Sequence, residues 1–213
     1  MIRLGLTGGI GMGKSAAAEH LHLRGLPVVD TDRLARELVE PGQPAWHEIR
    51  DTFGPEVLDA TGCLRRDALA RIVFADAARR RQLEAILHPR IRAAWQVQLE
   101  TWQHEGRPAA VVVIPLLFET GAAGQFDATI CVACSPASQR ERLRARGWSD
   151  EEIARRLAAQ WPVERKIAAA DYVVWAEGDL AHTAAQLDRI LATLGLAGTL
   201  PELARAPAAR AGV

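Results

Sequence analysis

Glycine, lysine and serine cluster near the start of the chain, in the stretch LTGGIGMGKSA that begins at Leu6. The spacing Gly8-x-x-x-x-Gly13-Lys14-Ser15, directly behind a short apolar run, is typical of a loop that binds phosphate groups. Glycines let the backbone curl so that successive N–H groups point at phosphate oxygens. Lys14 would neutralise β- and γ-phosphates, and the Ser15 hydroxyl would bind Mg²⁺. A plain glycine-rich turn is the alternative, but the order of strand, loop and helix favours a triphosphate-binding loop.

Lysine is scarce in this chain. Of 26 basic residues, 24 are arginine, and only Lys14 and Lys166 are lysine. A planar guanidinium cannot replace a compact ammonium inside a tight phosphate cradle. The lysine at position 14 therefore supports the phosphate-binding interpretation.

Two aspartates follow the second apolar run, in VVDTDRLAR. Asp30 and Asp32 would lie at the sheet edge where ligands collect in open α/β folds. One carboxylate could accept the proton of a hydroxyl acceptor, while the other caps the following helix or holds a water of the metal. The alternative is that both are N-cap aspartates. We favour Asp32 as the catalytic member of the pair.

Arginines recur in a helical pair that the sequence predicts over 136–161. Arg142 and Arg146 are four residues apart and would share one helix face. The same segment contains Arg140, Arg155 and Arg156. Together these arginines predict a lobe that closes over phosphates. A solvated helical surface is the alternative, because residues 150–152 are all acidic.

Five apolar runs of strand length are separated by helix-like segments. They are Ile2 to Leu6, Leu26 to Val29, Ala109 to Ile114, Ala128 to Val132 and Tyr172 to Trp175. Continuous Val/Ile runs that alternate with helices predict an α/β fold, with a parallel sheet covered by helices on both faces. The first run ends in the glycine loop, and Lys14 to Arg24 is predicted to be a helix that Gly25 ends.

The stretch 41–106 lacks a comparable strand and has helical spacing. Its apolar residues Leu83, Leu87, Ile91, Trp95 and Leu99 are each four apart. Pro89 interrupts this register, so we expect one helix to end near Leu87 and another to begin at Pro89. In the later helical pair, we expect Gly147 to end the first helix and Ser149 with Glu152 to form a capping box.

The composition is that of a soluble globular protein. The 213 residues are 49% hydrophobic and 24% charged, with a formal net charge of zero. Nothing in this balance predicts attraction to nucleic acid or to an anionic membrane. No apolar run approaches the ~18–20 residues that span a bilayer, and the N-terminus lacks the features of a secretory signal. We therefore expect a cytoplasmic protein.

Three cysteines are present, and Cys131 and Cys134 form a C-x-x-C pair. Such a pair could be redox-active or half of a metal site. However, TICVACSP has the pattern of a buried strand, in which residues three apart point to opposite faces. No second C-x-x-C completes a zinc site. We interpret the pair as part of the core, in a protein of a reducing compartment.

Several classes of protein use a phosphate-binding loop. A GTPase should contain N-K-x-D, but neither lysine here follows an asparagine, and DATG at Asp59 has no strand before it. A motor ATPase needs an acidic residue at the end of an apolar strand, whereas VVVIPLLFE ends its strand in Pro115. A small-molecule kinase fits best. The remaining alternatives are a kinase of a nucleoside, sugar or shikimate-like acceptor, and a non-catalytic ATP-responsive binding module.

From Ile2 to Leu194 the chain resembles the bacterial dephospho-coenzyme A kinases. The resemblance is carried by GLTGGIGMGKS, VVDTDRLARELVEPG, LHPRI, VVVIPLLFE and SPASQRERLRARGWSDEEIARRLAAQ. It implies a kinase that uses ATP and Mg²⁺ to phosphorylate the ribose 3′-hydroxyl of dephospho-coenzyme A. It also implies a nucleotide-binding core (1–40, 107–135 and 163–195), a helical acceptor domain (41–106), a lid (136–162) and a mobile tail (196–213). It does not specify an oligomeric state.

The resemblance also implies roles for individual residues. ATP would be held by the loop from Gly9 to Ala16, that is by Gly9, Gly11, Met12, Gly13, Lys14, Ser15 and Ala16. Asp32 would be the general base, and Arg142 with Arg146 would bind phosphates from the lid. The acceptor site would be formed by His88 and the turn Pro115, Leu116 and Leu117. Met12 and Ala16 depart from the usual pattern, but both positions act through backbone N–H groups, so we expect nucleotide binding. Without the resemblance, His88 is more simply a structural histidine.

Overall fold

A computed structural model describes residues 1–197, so most of the predicted tail lies outside the described residues. Within them the strands are β1 (Ile2–Thr7), β2 (Val28–Asp30), β3 (Ala109–Val113), β4 (Ala128–Ala133) and β5 (Tyr172–Trp175). All five predicted strands are therefore confirmed, with boundaries shifted by at most two residues. Continuous Val/Ile runs were a reliable signal because every residue of β3 and β4 is buried.

The described part of the chain also contains nine α-helices. They are α1 (Lys14–Leu23), α2 (Thr31–Glu37), α3 (Pro44–Phe53), α4 (Arg66–Ala75), α5 (Ala77–His104), α6 (Pro136–Ala145), α7 (Asp150–Ala158), α8 (Val163–Ala169) and α9 (Leu180–Thr193). Over residues 1–197, none has the length and apolar character needed to cross a bilayer. The predicted helix ends are confirmed at Gly25 and Gly147, with φ of 86° and 83°. Ser149 Oγ accepts from Glu152 N at 3.2 Å, as in the predicted cap of α7.

The strands form one sheet in the order β2-β3-β1-β4-β5. The pairings of β1 with β3, β1 with β4 and β4 with β5 are all parallel. Leu4, Leu6, Val111 and Ile130 are buried in its core. Because β1, β3, β4 and β5 run in the same direction, the loops that follow them meet at one edge of the sheet, where α/β proteins bind ligands.

The chain divides into two compact units. The sheet unit comprises Met1–Val28 and the chain from Trp102 onward, and the helical unit comprises Val29–Thr101. The helical unit has its own apolar core, in which Ile49, Phe53 and Val57 are buried. In the sheet unit, Leu196, where the tail was predicted to begin, packs into the core.

The helix containing Pro89 was predicted wrongly. We expected a break at Leu87 and Pro89, but α5 is continuous, with Pro89 inside it. The missing N–H removes one helical hydrogen bond. In the same turn, the Arg90 guanidinium donates to the Ile86 carbonyl oxygen at 2.7 Å. Ile86 itself is buried in the core of the helical unit. Burial of Ile86 in this core thus offsets the local cost of proline, whereas the carbonyl oxygen that loses its helical donor at Pro89 is that of Ala85.

The C-x-x-C pair lies in the core, as predicted. Cys131 and Cys134 are both fully buried at the end of β4, whereas Cys63 is exposed. Burial raises the pKa of the Cys131 thiol to about 11 and also raises that of Cys134. The thiolate is the reactive form, so both core thiols are protected chemically as well as sterically.

This arrangement predicts selective alkylation. Iodoacetamide at pH 8 should label the native protein once, at Cys63, and the unfolded protein at all three cysteines. Mass spectrometry of the intact chain gives the count, and peptide mapping gives the position. Rapid native labelling of Cys131 or Cys134 would show that the core at the end of β4 opens readily.

Candidate active site

The glycine loop joins β1 to α1, and its backbone requires glycine. Gly8 and Gly13 have φ of 145° and 95°, in the region that L side chains rarely adopt. A Cβ atom on Gly8 would lie 2.2 Å from the Val132 carbonyl oxygen, and one on Gly13 would lie 3.2 Å from Ala176 Cβ. The loop is therefore both curled and held close to the ends of β4 and β5.

Lys14 lies over this loop. Its Nζ donates to the carbonyl oxygens of Gly8 and Gly9, at 2.9 Å in each case. Lys14 is also the first residue of α1, so the free N–H groups of the first helical turn belong to the loop. Such a helix N-terminus attracts anions. Ser15, the next residue of the same turn, is exposed.

Two glutamines fix the tip of the loop at Ile10. Gln139, in α6, donates through Nε2 to the Ile10 carbonyl oxygen at 2.7 Å. Gln160, just after α7, accepts from Ile10 N through Oε1 at 3.1 Å. Both ends of the α6–α7 segment thus bind one residue of the loop. Sequence reasoning missed these contacts because each joins residues that are far apart in the chain. The separation is 129 positions for Gln139 and 150 positions for Gln160.

A cavity of about 450 Å³ opens beside the loop. Its walls are Gly11, Gly13, Ala16, Arg142, Ala145, Arg146, Ala176, Gly178, Asp179, Leu180 and Thr183. The structure therefore brings together the glycine loop and the two arginines of α6 that were singled out in the sequence. Arg142 is held in place by donating from Nη2 to the Ala176 carbonyl oxygen at 2.6 Å. The cavity combines glycine backbone with two guanidinium groups, of which that of Arg142 is fixed, and that suits an anionic nucleotide.

Glu177 anchors the first turn of α6. Its carboxylate accepts from the Ser135 backbone N–H and from the Ser138 hydroxyl, the latter at 2.7 Å. These hydrogen bonds, that of Ser135 first, lower the pKa of Glu177 to about 2, and the charge of Arg142 contributes. The loop after β5 is thereby connected to the helix that carries the cavity arginines.

The anchor predicts a specific pH dependence. Because the folded-state pKa of Glu177 lies below its ordinary value of 4.5, the stabilisation is complete above pH 4.5 and is lost as pH falls toward 2. The difference in free energy of unfolding between wild type and Glu177→Gln should therefore stay constant from pH 7 to pH 5 and shrink below that. Urea unfolding at each pH measures it. Glu141→Gln, at an exposed position on α6, is the control and should follow wild type throughout. A difference that grows on acidification would contradict the assignment.

The two aspartates have different environments. Asp30 Oδ1 accepts from Asp32 N at 2.8 Å and caps α2. The capping function therefore belongs to Asp30, whereas Asp32 is an exposed residue in the first turn of the helix. His88, also exposed, lies on α5. All three residues belong to the helical unit, whereas Lys14 belongs to the sheet unit.

The turn predicted for the acceptor follows β3. Pro115 and Leu116 are half-buried, and Leu117 is buried beneath them. The Pro115 carbonyl oxygen accepts from Thr7 Oγ1 at 3.2 Å, which joins this turn to the end of β1, directly before the glycine loop. The turn therefore lies at the same edge of the sheet as the loop.

Comparison with known proteins points to one family. A family model described as dephospho-CoA kinase matches residues 2–182. The dephospho-CoA kinase of Bdellovibrio bacteriovorus is 42% identical over 188 residues, which are 88% of this chain and 94% of that protein. That of Anaeromyxobacter dehalogenans is 48% identical over 192 residues, 90% of this chain and 91% of its own length.

Solved structures agree as well. A crystal structure from Thermus thermophilus has a TM-score of 0.80 at 38% identity and covers 91% of this chain and 97% of its own. The dephospho-CoA kinase from Campylobacter jejuni has a TM-score of 0.67 at 24% identity, covering 90% of this chain and 96% of its own, which concerns the fold alone. With the phosphate-binding loop, the cavity arginines and a family match over most of its length, the chain belongs to the dephospho-CoA kinase family.

Proposed function

We propose that this protein transfers the γ-phosphoryl group of ATP to the ribose 3′-hydroxyl of dephospho-coenzyme A, giving coenzyme A and ADP. The observation that carries this proposal is the glycine loop with Lys14, which opens on a cavity containing Arg142 and Arg146 in a member of this family. Transfer between two bound oxygens needs little covalent chemistry from the protein. It depends on positioning the reactants and on stabilising charge.

ATP binding would use the loop in the way its geometry permits. The phosphates would accept from the backbone N–H groups of the loop and of the first turn of α1. Lys14 Nζ now donates to the Gly8 and Gly9 carbonyl oxygens, and would exchange them for phosphate oxygens. The cavity of about 450 Å³ would receive the rest of the nucleotide, with Arg142 and Arg146 on its wall.

Mg²⁺ would be carried mainly by the phosphates. Among residues 1–197 no cluster of three His, Cys, Asp or Glu side chains could hold a metal. Mg²⁺ in nucleotide sites binds substrate phosphates, waters and only one or two protein oxygens. The exposed Ser15 hydroxyl beside Lys14 fits that requirement. When bound, the ion would neutralise charge on the phosphate oxygens.

In the proposed reaction Asp32 is the general base. Its position in the first turn of α2 is separate from the cap, which Asp30 provides. A carboxylate there could accept the proton of the acceptor hydroxyl as the new O–P bond forms. The acceptor would be held by His88 and by the turn at Pro115, Leu116 and Leu117. With three free thiols, Cys63 among them exposed, we also infer that the enzyme acts in the reducing cytoplasm.

An acceptor panel tests this function. ADP release from ATP and Mg²⁺ is measured with dephospho-coenzyme A, adenosine, a hexose and shikimate as acceptors. We expect kcat/KM for dephospho-coenzyme A to exceed that for the others at least about a hundredfold. Mass spectrometry should show one added phosphoryl group on the product. A preference for another acceptor would make this a different kinase, and ATP binding without acceptor-dependent ADP release would make it a binding module.

A further inference from the structure

The second lysine of the chain is buried. Lys166, in α8, has no exposed side-chain surface, and its Nζ lies 2.8 Å from Glu119 Oε1. The same ammonium donates to the Pro115 carbonyl oxygen at 2.7 Å. Both partners belong to the segment 115–119 that follows β3 and carries the turn assigned to the acceptor. One buried cation therefore holds the two ends of that segment.

Glu119 connects this segment to the end of the α6–α7 region. Its Oε1 also accepts from Trp161 N at 2.9 Å. The neighbouring Gln160 holds Ile10 in the glycine loop. The Trp161 ring stacks on Phe118 with centroids 6.3 Å apart. Two consecutive residues, 160 and 161, thus contact the donor loop on one side and the acceptor segment on the other.

Stability alone does not call for this ion pair. Burying two charges carries a large desolvation cost for each ion, and an apolar pair of similar volume is often as stable or more so. The second oxygen of Glu119, Oε2, is buried without a hydrogen-bond partner in the described structure, which adds to the cost. The pair instead fixes the position of the segment. A salt bridge and two hydrogen bonds restrict its geometry more closely than apolar contacts do, because they depend on the direction of the donor.

We propose that Lys166 and Glu119 are positioning residues, which hold the acceptor segment 115–119 in register with the glycine loop. The inference rests on the proposed function, because it takes the turn at 115–117 to be the acceptor site. Neither residue would touch the reacting atoms. Their effect would be on the alignment of hydroxyl and phosphoryl group, and a displacement of about 1 Å can slow such a reaction about a hundredfold.

The test removes the charges without leaving one of them unpaired. The double variant Lys166→Met/Glu119→Gln is neutral and keeps an acceptor for Trp161 N. We expect it to melt close to wild type, with kcat/KM for dephospho-coenzyme A lowered about thirtyfold. Its Kd for a non-hydrolysable ATP analogue, measured by calorimetry, should change less than about threefold. The exposed pair Arg3 and Asp127 of the same unit supplies the control, Arg3→Met/Asp127→Asn, which should leave both quantities unchanged.

The outcomes separate cleanly. Wild-type kcat/KM in a stable double variant, or equal losses of ATP affinity and of kcat/KM, would overturn the positioning role. If the double variant fails to fold, a second neutral pair, Lys166→Gln/Glu119→Gln, which keeps a donor at position 166 and an acceptor for Trp161 N, should show the same selective loss at about fivefold. Its absence would also overturn the role. A wild-type protein inactive toward dephospho-coenzyme A would instead refute the proposed function.

Discussion

Replacing Lys14 with alanine is expected to lower kcat/KM for ATP by about 10³-fold while the fold remains intact. The ammonium is the positive side chain lying directly on the glycine loop, and in the proposed reaction it stabilises charge on the transferred phosphoryl group. Its removal costs the native state two hydrogen bonds to carbonyl oxygens at a half-buried site, so the melting temperature should fall by only about 4–8 °C. Steady-state ADP release and thermal unfolding measure the two effects.

Lys14→Arg tests the shape of the cation as well as its charge. A guanidinium keeps the charge but spreads it over a plane that does not fit between the Gly8 and Gly9 carbonyl oxygens. We expect an intermediate loss, about 10²-fold. Glu19→Ala, at an exposed position on α1, is the control and should retain wild-type turnover. Near-normal activity of Lys14→Ala would remove the phosphate-loop argument altogether.

The features that sequence predicted well are those that depend on neighbouring residues. Val111 to Val113 and Ala128 to Val132 are continuous apolar runs, and such runs bury on both faces of a parallel sheet. The glycine loop follows from steric limits on single residues, and at Gly8 a Cβ atom would collide with Val132. The cap of α7 is likewise a local contact, because Ser149 and Glu152 are only three positions apart.

The features that sequence missed depend on distant contacts. Pro89 was expected to break a helix, but α5 continues because Ile86, in the turn before the proline, is buried in the core of the helical unit. The Glu177 anchor at Ser135 joins residues 42 positions apart. The Lys166–Glu119 pair could have been suspected only from the scarcity of lysine, because nothing local to position 166 marks it as buried.

The same distinction applies to the arginines. Helical spacing predicted that Arg142 and Arg146 share a face, and both line one cavity with Gly11 and Gly13. That spacing could not show that Arg142 is fixed to the Ala176 carbonyl oxygen. A guanidinium already bound to backbone loses less side-chain entropy when a nucleotide enters, and this preorganisation favours binding.

Asp32→Asn is expected to lower kcat by about 10³-fold and to leave ATP affinity nearly unchanged. Asparagine has the shape of aspartate but cannot take up the proton of the acceptor hydroxyl. The loss should therefore appear in turnover and in kcat/KM for dephospho-coenzyme A, both from steady-state ADP release. Calorimetric titration with a non-hydrolysable ATP analogue measures the nucleotide affinity. Equal losses of turnover and ATP affinity would instead make Asp32 a metal-binding or structural residue.

The matched control is Asp30→Asn, two residues away. The Asp30 carboxylate caps α2 by accepting from Asp32 N, and asparagine is an equally good N-cap, so this variant should keep its stability and most of its turnover. The pair thus separates capping from proton transfer by the same chemical change at two positions. If turnover collapses in Asp30→Asn but survives in Asp32→Asn, the base is Asp30. The cap would then be incidental to its function, since a carboxylate that accepts from a backbone N–H through one oxygen keeps its second oxygen for the hydroxyl.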